Sequence, residues 1–456
     1  MKSPWTFLCI ILSSLWPTLT GAQAFSATDD FELPEQLDFK PIEATSTAEQ
    51  ASPEISPAEI TSPKISSADS LSPEKPSAQN IKTTLLPEKL DRPLRVGLFV
   101  GAKELYLNFA GQQIKITPAG KNIKLSSGDL TMEMDTREFS HDDGTCLALS
   151  ADPKSINQAC YPGSIVLRST NGKLDAINIV EMEDDLRGVI PYEIGKLDLS
   201  RIEALKAQAV AARTYAYKHF DSRESQGFDV YADTKDQVYK GLFGATLLTD
   251  EAVKSTSGIV MTFQGDFITA YYHSTCGGTT ETLATWNRPD LPYLQSKPDT
   301  APDGTPYCKE SSYLKWQRKF TEKEVLEMVR KNAAEAKARF SGFKAGDIKK
   351  IKSITVQDKL SSGRILTLKV ATDKGDLEIL TDRTRWLFKK GSSILPSSLF
   401  TVRHQNSHWI IEGAGFGHGV GMCQMGVRAR AQAGQKFDEI LTHYYPGITL
   451  EKFERQ

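Results

Sequence analysis

Three short segments of this chain combine residue types that can do chemistry. The first is Gly188-Val-Ile-Pro-Tyr-Glu-Ile194, where one carboxylate, Glu193, is flanked by Ile190, Pro191, Tyr192 and Ile194 just ahead of an Ala-rich run. If this turn packs inward, Glu193 is poorly solvated. Desolvation raises a carboxyl pKa and keeps a general acid protonated near neutrality. A surface or capping glutamate is the plain alternative. The second segment is Tyr271-Tyr-His-Ser-Thr-Cys-Gly-Gly-Thr-Thr-Glu281, where His273, Ser274, Thr275 and Cys276 follow a β-rich run and precede a flexible Gly-Gly turn. A strand end feeding a loop commonly presents polar side chains to a binding site. His273 and Cys276 are metal-ligating types, but two ligands do not make a metal site. The third is Gly413-Ala-Gly-Phe-Gly-His-Gly-Val-Gly-Met-Cys-Gln424, with glycine at every second position from 413 to 421. In a strand this strips the side chains from one face, so that a ligand or another backbone can come close, and leaves His418 on the other. A purely structural, tightly packed strand is the alternative. The run lacks the Gly-Lys-Ser/Thr of a phosphate loop and the G-x-G-x-x-G spacing of dinucleotide sites.

The elements that must position these residues read as α+β, without the regular alternation of a doubly wound sheet. Residues 94–182 alternate or cluster β-formers, with Asn171-Gly172 as a hairpin turn. Ser200-Arg-Ile-Glu203 fits a capping box that opens a helix carrying Ile202, Leu205, Ala209, Ala212 and Ala216 at helical spacing. Its alanines let neighbours approach closely, while Lys206, Gln208 and Arg213 need partners if buried. A strand pair spans 258–275 around Gln264-Gly265, Phe320 to Phe340 reads as an amphipathic helix, and 350–402 returns to strands. Gln424 to Ala433 and Phe437 to Tyr445 read as two further helices.

The N-terminus has the pattern of a signal peptide over residues 1–24: Lys2, an apolar run from Phe7 to Leu15 and Ala22-Gln23-Ala24. The apolar run is shorter than the ~20 residues that span a bilayer, and no second membrane span follows. Residues 51–80 hold eight Ser and five Pro without an aromatic residue. Such a stretch buries too little apolar surface to offset backbone entropy, so residues 25–90 are expected to form a linker. A β-rich segment over 91–160 and the main domain over 161–450 complete the expected organisation. With 55 basic and 57 acidic residues the net charge is −2, which does not suggest nucleic acid as a partner. Removing Cys9 with the signal leaves Cys146, Cys160, Cys276, Cys308 and Cys423, an odd set. Cys146 with Cys160 is the first expected disulfide in an exported chain, and Cys276 with Cys308 a weaker second.

Taken together, four ordered blocks resemble the SpoIID/LytB family. They are Leu186 to Glu193 with Ala204 to Ala216; Asp236-Gln-Val-Tyr-Lys-Gly241; His273 to Glu281 with Trp286 and Pro292-Tyr-Leu294; and Gly413 to Gly426 with His443-Tyr-Tyr-Pro-Gly447. The resemblance covers about residues 160–450. It implies a domain of antiparallel strands and packed helices, with two lobes around a cleft, acting on peptidoglycan. Family members of the SpoIID kind are lytic transglycosylases that prefer glycan strands stripped of stem peptides. The glutamate of the family's V-x-P-x-E-M motif, the proposed catalyst, falls on Glu193, with Ile194 in place of the usual Met. Arg213, Gln237, Tyr239, His273, Ser274 and His418 fall on motif positions expected to bind or orient substrate. Some members hold a structural zinc just before the Q-V-Y motif. Here Tyr231-Ala-Asp-Thr-Lys-Asp236 has neither Cys nor His, so no zinc is expected there, and no cofactor.

A lytic transglycosylase needs one acid/base carboxyl, whereas hydrolysing glycosidases need two. The lone Glu193 fits the first scheme. One rival reading is a non-catalytic glycan-binding protein that activates a peptidoglycan amidase. Another is a metal hydrolase using His273, His418 and cysteines. The expected partners are glycan strands and a cell-wall amidase, and the expected place is the periplasm or cell-wall space.

Overall fold

Strands Leu94–Ala102 and Lys173–Val180 pair antiparallel at the centre of a five-stranded sheet, flanked by Val230–Tyr231 on one side and by Ser164–Thr170 and Arg137–Phe139 on the other. The computed structural model describes residues 81–454 except 110, 142 and 143, and the expected signal peptide lies outside them. The turn joining Ser164–Thr170 to Lys173–Val180 is the expected Asn171-Gly172, both at positive φ, which matches the twist of a two-residue hairpin. This sheet runs across the domain boundary expected at residue 160.

A second five-stranded sheet is antiparallel throughout, built from Leu130–Met134, Asn122–Ser127, Gln112–Ala119, Leu105–Phe109 and Ala148–Ser150. The Cys146–Cys160 disulfide forms as expected beside it, with a Cα–Cα separation of 5.0 Å. Of the linker expected over residues 25–90, residues 25–80 lie outside the described residues, and the rest is ordered. Lys82–Leu85 is a strand parallel to Thr449–Glu454, and Leu86 and Leu90 are buried. Ile259–Phe263 and Asp266–Phe267 complete that four-stranded sheet.

Seven α-helices occur among the described residues: α1 (Met182–Glu193), α2 (Ile202–Lys218), α3 (Leu247–Ser255), α4 (Glu322–Asn332), α5 (Thr384–Leu387), α6 (Gln424–Gln432) and α7 (Phe437–Tyr444). With the sheets they give the expected α+β class. Helix α2 lies at the centre and packs on α1, α3, α6, α7 and strand Ile259–Phe263. Its Ala204, Ala207, Ala209, Ala211, Ala212 and Ala216 are all fully buried, their small side chains letting neighbouring elements pack close. The Ser200–Glu203 capping box does not form. Ser200 bonds Asp198, while Glu203 accepts from Lys206 and from the Phe437 amide that opens α7.

One other expectation shifts. The helix expected over Phe320 to Phe340 spans only Glu322–Asn332, because Thr321 and Glu324 make a reciprocal capping box and Trp316–Thr321 is a strand. One hydrophobic cluster draws all its buried members from Trp316 to Ile411, among them Phe320, Val329, Leu368, Trp386 and Phe400. It is enclosed by the sheets 316–321/408–413/400–405 and 351–359/365–372/376–380 with α4 and α5. Among the described residues no helix is long and apolar enough to cross a membrane.

Candidate functional site

Glu193 is the last residue of α1, not part of a turn ahead of α2. The N-terminal turn of α1 carries Glu183 and Asp184, whose charges suit the positive end of the helix dipole, and the buried Asp185. Gly188 sits mid-helix because a Cβ there would lie 2.5 Å from the Tyr239 ring and 2.8 Å from the Gly241 carbonyl oxygen. Helix α1 therefore presses against the Gln237–Gly241 segment. Pro191 is accommodated in the last turn, and Gly195 follows at φ +84° to end the helix.

This placement delivers Glu193, itself half-buried, to three other segments. The Val238 amide donates to Oε1 at 2.7 Å, and Gln424 Nε2 donates to Oε2 at 3.0 Å. The Tyr272 phenol also bonds the carboxyl. Burial pushes the Glu193 pKa up to about 7, against the downward pull of those three hydrogen bonds. A carboxyl so poised can give up a proton near neutrality and take one back.

Gln237 is buried, its Nε2 shared between the Ala212 carbonyl at 3.2 Å and the Tyr272 hydroxyl at 3.1 Å. It thereby orients the phenol that reaches Glu193. Tyr239 is also buried, with its hydroxyl donating to Asn178 Oδ1 at 2.9 Å. Arg213 is fully buried and makes a two-pronged ion pair with Glu183, at 2.9 and 2.6 Å, and a third bond to the Ile259 carbonyl. These contacts tie α2 to the start of α1 and to strand Ile259–Phe263.

The glycine-alternating segment is not a strand beyond Gly413. Gly415, Gly417, Gly419 and Gly421 all take positive φ, so the chain winds through a loop that other residues rarely adopt. Three of these glycines, Gly415, Gly419 and Gly421, also lack room for a side chain. A Cβ on Gly419 would lie 2.3 Å from the buried Arg364 guanidinium, and one on Gly421 would lie 2.1 Å from the Tyr271 carbonyl oxygen. The loop ends in Met422–Cys423, which pairs with Tyr272–His273, and then enters α6 at Gln424.

His273 is buried and His418 half-buried, with ring centroids 5.5 Å apart. His273 Nδ1 bonds the Val420 carbonyl, while His418 Nδ1 accepts from the Val420 amide. These bonds fix opposite tautomers on the two rings. Burial lowers both pKa values, that of His418 to about 3 with the help of Arg385 and Arg364, so both rings are neutral. Trp286 lies 4.8 Å from the His418 ring and 5.1 Å from that of Tyr271. Ser274 contacts Thr275 by side chain, and its carbonyl receives the Met425 amide.

Sequence reasoning singled out Glu193 and Gln237 but missed Tyr272 and Gln424. Both stand inside blocks it had marked, and only the pairing of Tyr272–His273 with Met422–Cys423 shows that they share one carboxyl. The weaker disulfide expectation is corrected. Cys276 and Cys308 are free thiols with Sγ atoms 3.6 Å apart, and Cys423 is beside them.

Residues 170–263 match the family described as stage II sporulation protein, SpoIID, and residues 307–421 match a domain of unknown function. An uncharacterized protein of Brachyspira hyodysenteriae is 30% identical over 306 residues, covering 67% of this chain and 76% of that protein. The amidase enhancer of Bacillus subtilis is 33% identical over 299 residues. That alignment spans 59% of this chain and only 40% of the enhancer. The stage II sporulation protein D of Bacillus subtilis is 27% identical over 321 residues, covering 67% of this chain and 81% of that protein.

Proposed function

The chain belongs to the SpoIID/LytB family, and from that premise we propose that it is a peptidoglycan lytic transglycosylase with Glu193 as its single acid/base. The family supports a role in cell-wall remodelling, outside the cytoplasm where that substrate lies. The observation that carries the finer reading is the carboxyl itself. It is raised to about 7 and held by the Val238 amide, Gln424 and Tyr272, which come from three different sequence blocks.

In the proposed reaction, protonated Glu193 gives its proton to the oxygen linking N-acetylmuramic acid to N-acetylglucosamine, and the glycosidic bond breaks. The carboxylate then takes the proton of the muramic acid C6 hydroxyl, whose oxygen closes the 1,6-anhydro ring. The proton balance closes on Glu193 and no water is consumed. Gln424 suits both states, because a side-chain amide donates from nitrogen to the carboxylate and, once rotated, accepts through oxygen from the acid. The Trp286, Tyr271 and His418 rings form an aromatic cluster able to stack on sugar. Neutral His273 and His418 bring no positive charge that would pull the Glu193 pKa back down. Gln237 orients Tyr272, while Arg213 and Tyr239 hold α1 and the Gln237–Gly241 segment in place. Ser274 joins that same group of positioning residues through its backbone bond to Met425.

A second reading is favoured by one observation, the 33% identity with a protein named amidase enhancer. On that reading the chain binds denuded strands and stimulates a cell-wall amidase without cutting. Incubating the purified chain with amidase-denuded glycan strands and reading the ends by mass spectrometry separates the two. Anhydro ends that vanish in Glu193→Gln support the enzyme, and hydrated reducing ends contradict it. Strands left intact, with amidase stimulation retained in Glu193→Gln, favour the activator.

A further inference from the structure

We propose that Cys276, Cys308 and Cys423 together hold a structural zinc ion. The three thiols come from segments far apart in sequence, yet their Sγ atoms all lie within 4.8 Å of one another and all three residues are wholly buried. Cys276 follows the His273-Ser-Thr run, Cys308 sits in a short 3-10 turn over Tyr307–Glu310, and Cys423 caps the N-terminus of α6.

The spacing is that of ligands round a metal. With Zn–S near 2.3 Å and tetrahedral angles, neighbouring sulfurs stand ~3.8 Å apart. The Cys276–Cys308 separation is 3.6 Å. A disulfide would join two sulfurs at ~2.05 Å and leave the third thiol buried without a function.

The surroundings are built for thiolates. The Gly278 amide donates to Cys276 Sγ at 3.2 Å. The Cys276 and Gly426 amides donate to Cys423 Sγ at 3.2 and 3.3 Å. The amides of Gly277 and Gly278 serve Cys308. Backbone N–H groups aimed at sulfur stabilise its negative charge and orient ligands, the usual second layer around a metal. Gly426 has no side chain because a Cβ there would lie 2.2 Å from the Tyr444 hydroxyl and 2.3 Å from Asp299 Oδ2.

The fourth position falls to a water, beside Asp299, whose Oδ2 is 3.4 Å from Cys276 Sγ. Asp299 is fully buried and neutralised by Arg430, which bonds its Oδ1 twice, and Tyr444 donates to Oδ2. Soft thiolate ligands select zinc, and the burial of all three sulfurs keeps substrate away from the ion, so its role is structural. The ion would staple segments 276–278 and 307–310 to the start of α6. Gln424, the residue after Cys423, is the one that bonds Glu193. The staple is independent of whether Glu193 cleaves strands or only binds them.

The test is metal analysis of the full chain purified without chelator, with cobalt(II) substitution of the same sample. The expected result is about one zinc per chain, a thiolate-to-cobalt charge-transfer band after exchange, and loss of both in Cys423→Ser and in Cys308→Ser. Cys146→Ser, at the separate disulfide, keeps the zinc. The wild-type stoichiometry stands even if a variant folds poorly. A chain without stoichiometric metal overturns the proposal, whether peptide mapping then finds a Cys276–Cys308 disulfide or three alkylatable thiols.

Discussion

Gln424 Nε2 lies 3.0 Å from Glu193 Oε2 although 231 positions separate the two residues in the chain. One donates from the first turn of α6 and the other accepts from the last turn of α1. Their contact joins the glycine-rich block to the acid block, and it is one of three hydrogen bonds that limit how far burial raises the Glu193 pKa.

The first prediction concerns that limit. With Glu193 at about 7 and acting first as an acid, kcat/KM should fall about tenfold per pH unit above 7. Gln424→Leu removes a bond that favours the carboxylate. Its alkaline limb should therefore move to higher pH, while maximal activity falls as the carboxyl loses its orientation. A pH–rate series on denuded strands reads both effects.

Stability should show the same carboxyl. Its pKa in the folded chain lies above the ordinary glutamate value of 4.5, so the native state holds the proton longer than the unfolded one. The stabilising share is complete below about pH 4.5 and is lost as pH rises through about 7. Glu193→Gln should therefore stabilise the chain at pH 8 by up to roughly 3 kcal/mol, with the gain disappearing near pH 4. Asp185, raised to about 8 by burial and without a side-chain hydrogen bond, should behave likewise in Asp185→Asn. Denaturant melts at the two pH values check the sign.

Arg213→Leu should destabilise by ~2–3 kcal/mol, below the cost of breaking a fully buried pair because Glu183 still reaches water. Activity should fall with the folded fraction and not through KM. Melts and steady-state kinetics on the same preparation separate the two.

The glycine loop offers a paired comparison. Gly421→Ala sets a Cβ 2.1 Å from the Tyr271 carbonyl at φ +70°, and should cost about 3 kcal/mol or more. Gly434→Ala, at φ +89° with nothing within 4 Å, should cost only the ~1 kcal/mol of the left-handed conformation. Equal melting shifts for the two variants would contradict the role of close packing.

Much of this was legible in the sequence, and what was not has physical reasons. The α+β class, the central Ala-rich helix, the Asn171-Gly172 hairpin and the Cys146–Cys160 bridge follow from periodicity, turn chemistry and short loop closure. Glu193 was misread as part of a turn because Gly188 and Pro191 both weaken helix propensity, and tertiary packing of Tyr239 on Gly188 overrides that weakness. The alternating glycines look like a strand stripped on one face, but alternation alone does not separate extended backbone from positive φ. Ser200 and Glu203 match a capping box by spacing, yet Lys206 and the Phe437 amide compete for that glutamate. Tyr272 and Gln424 lie inside marked segments but carry no signal of their own, since their role exists only where two distant segments pair.

The central claim is that Glu193 cleaves glycan without water. Its most direct test is to digest denuded strands in heavy-oxygen water and weigh the new muramic acid ends. The account predicts anhydro ends that carry no label, formed by the wild type and absent with Glu193→Gln. Labelled, hydrated reducing ends, or unlabelled anhydro ends that persist in Glu193→Gln, would contradict it.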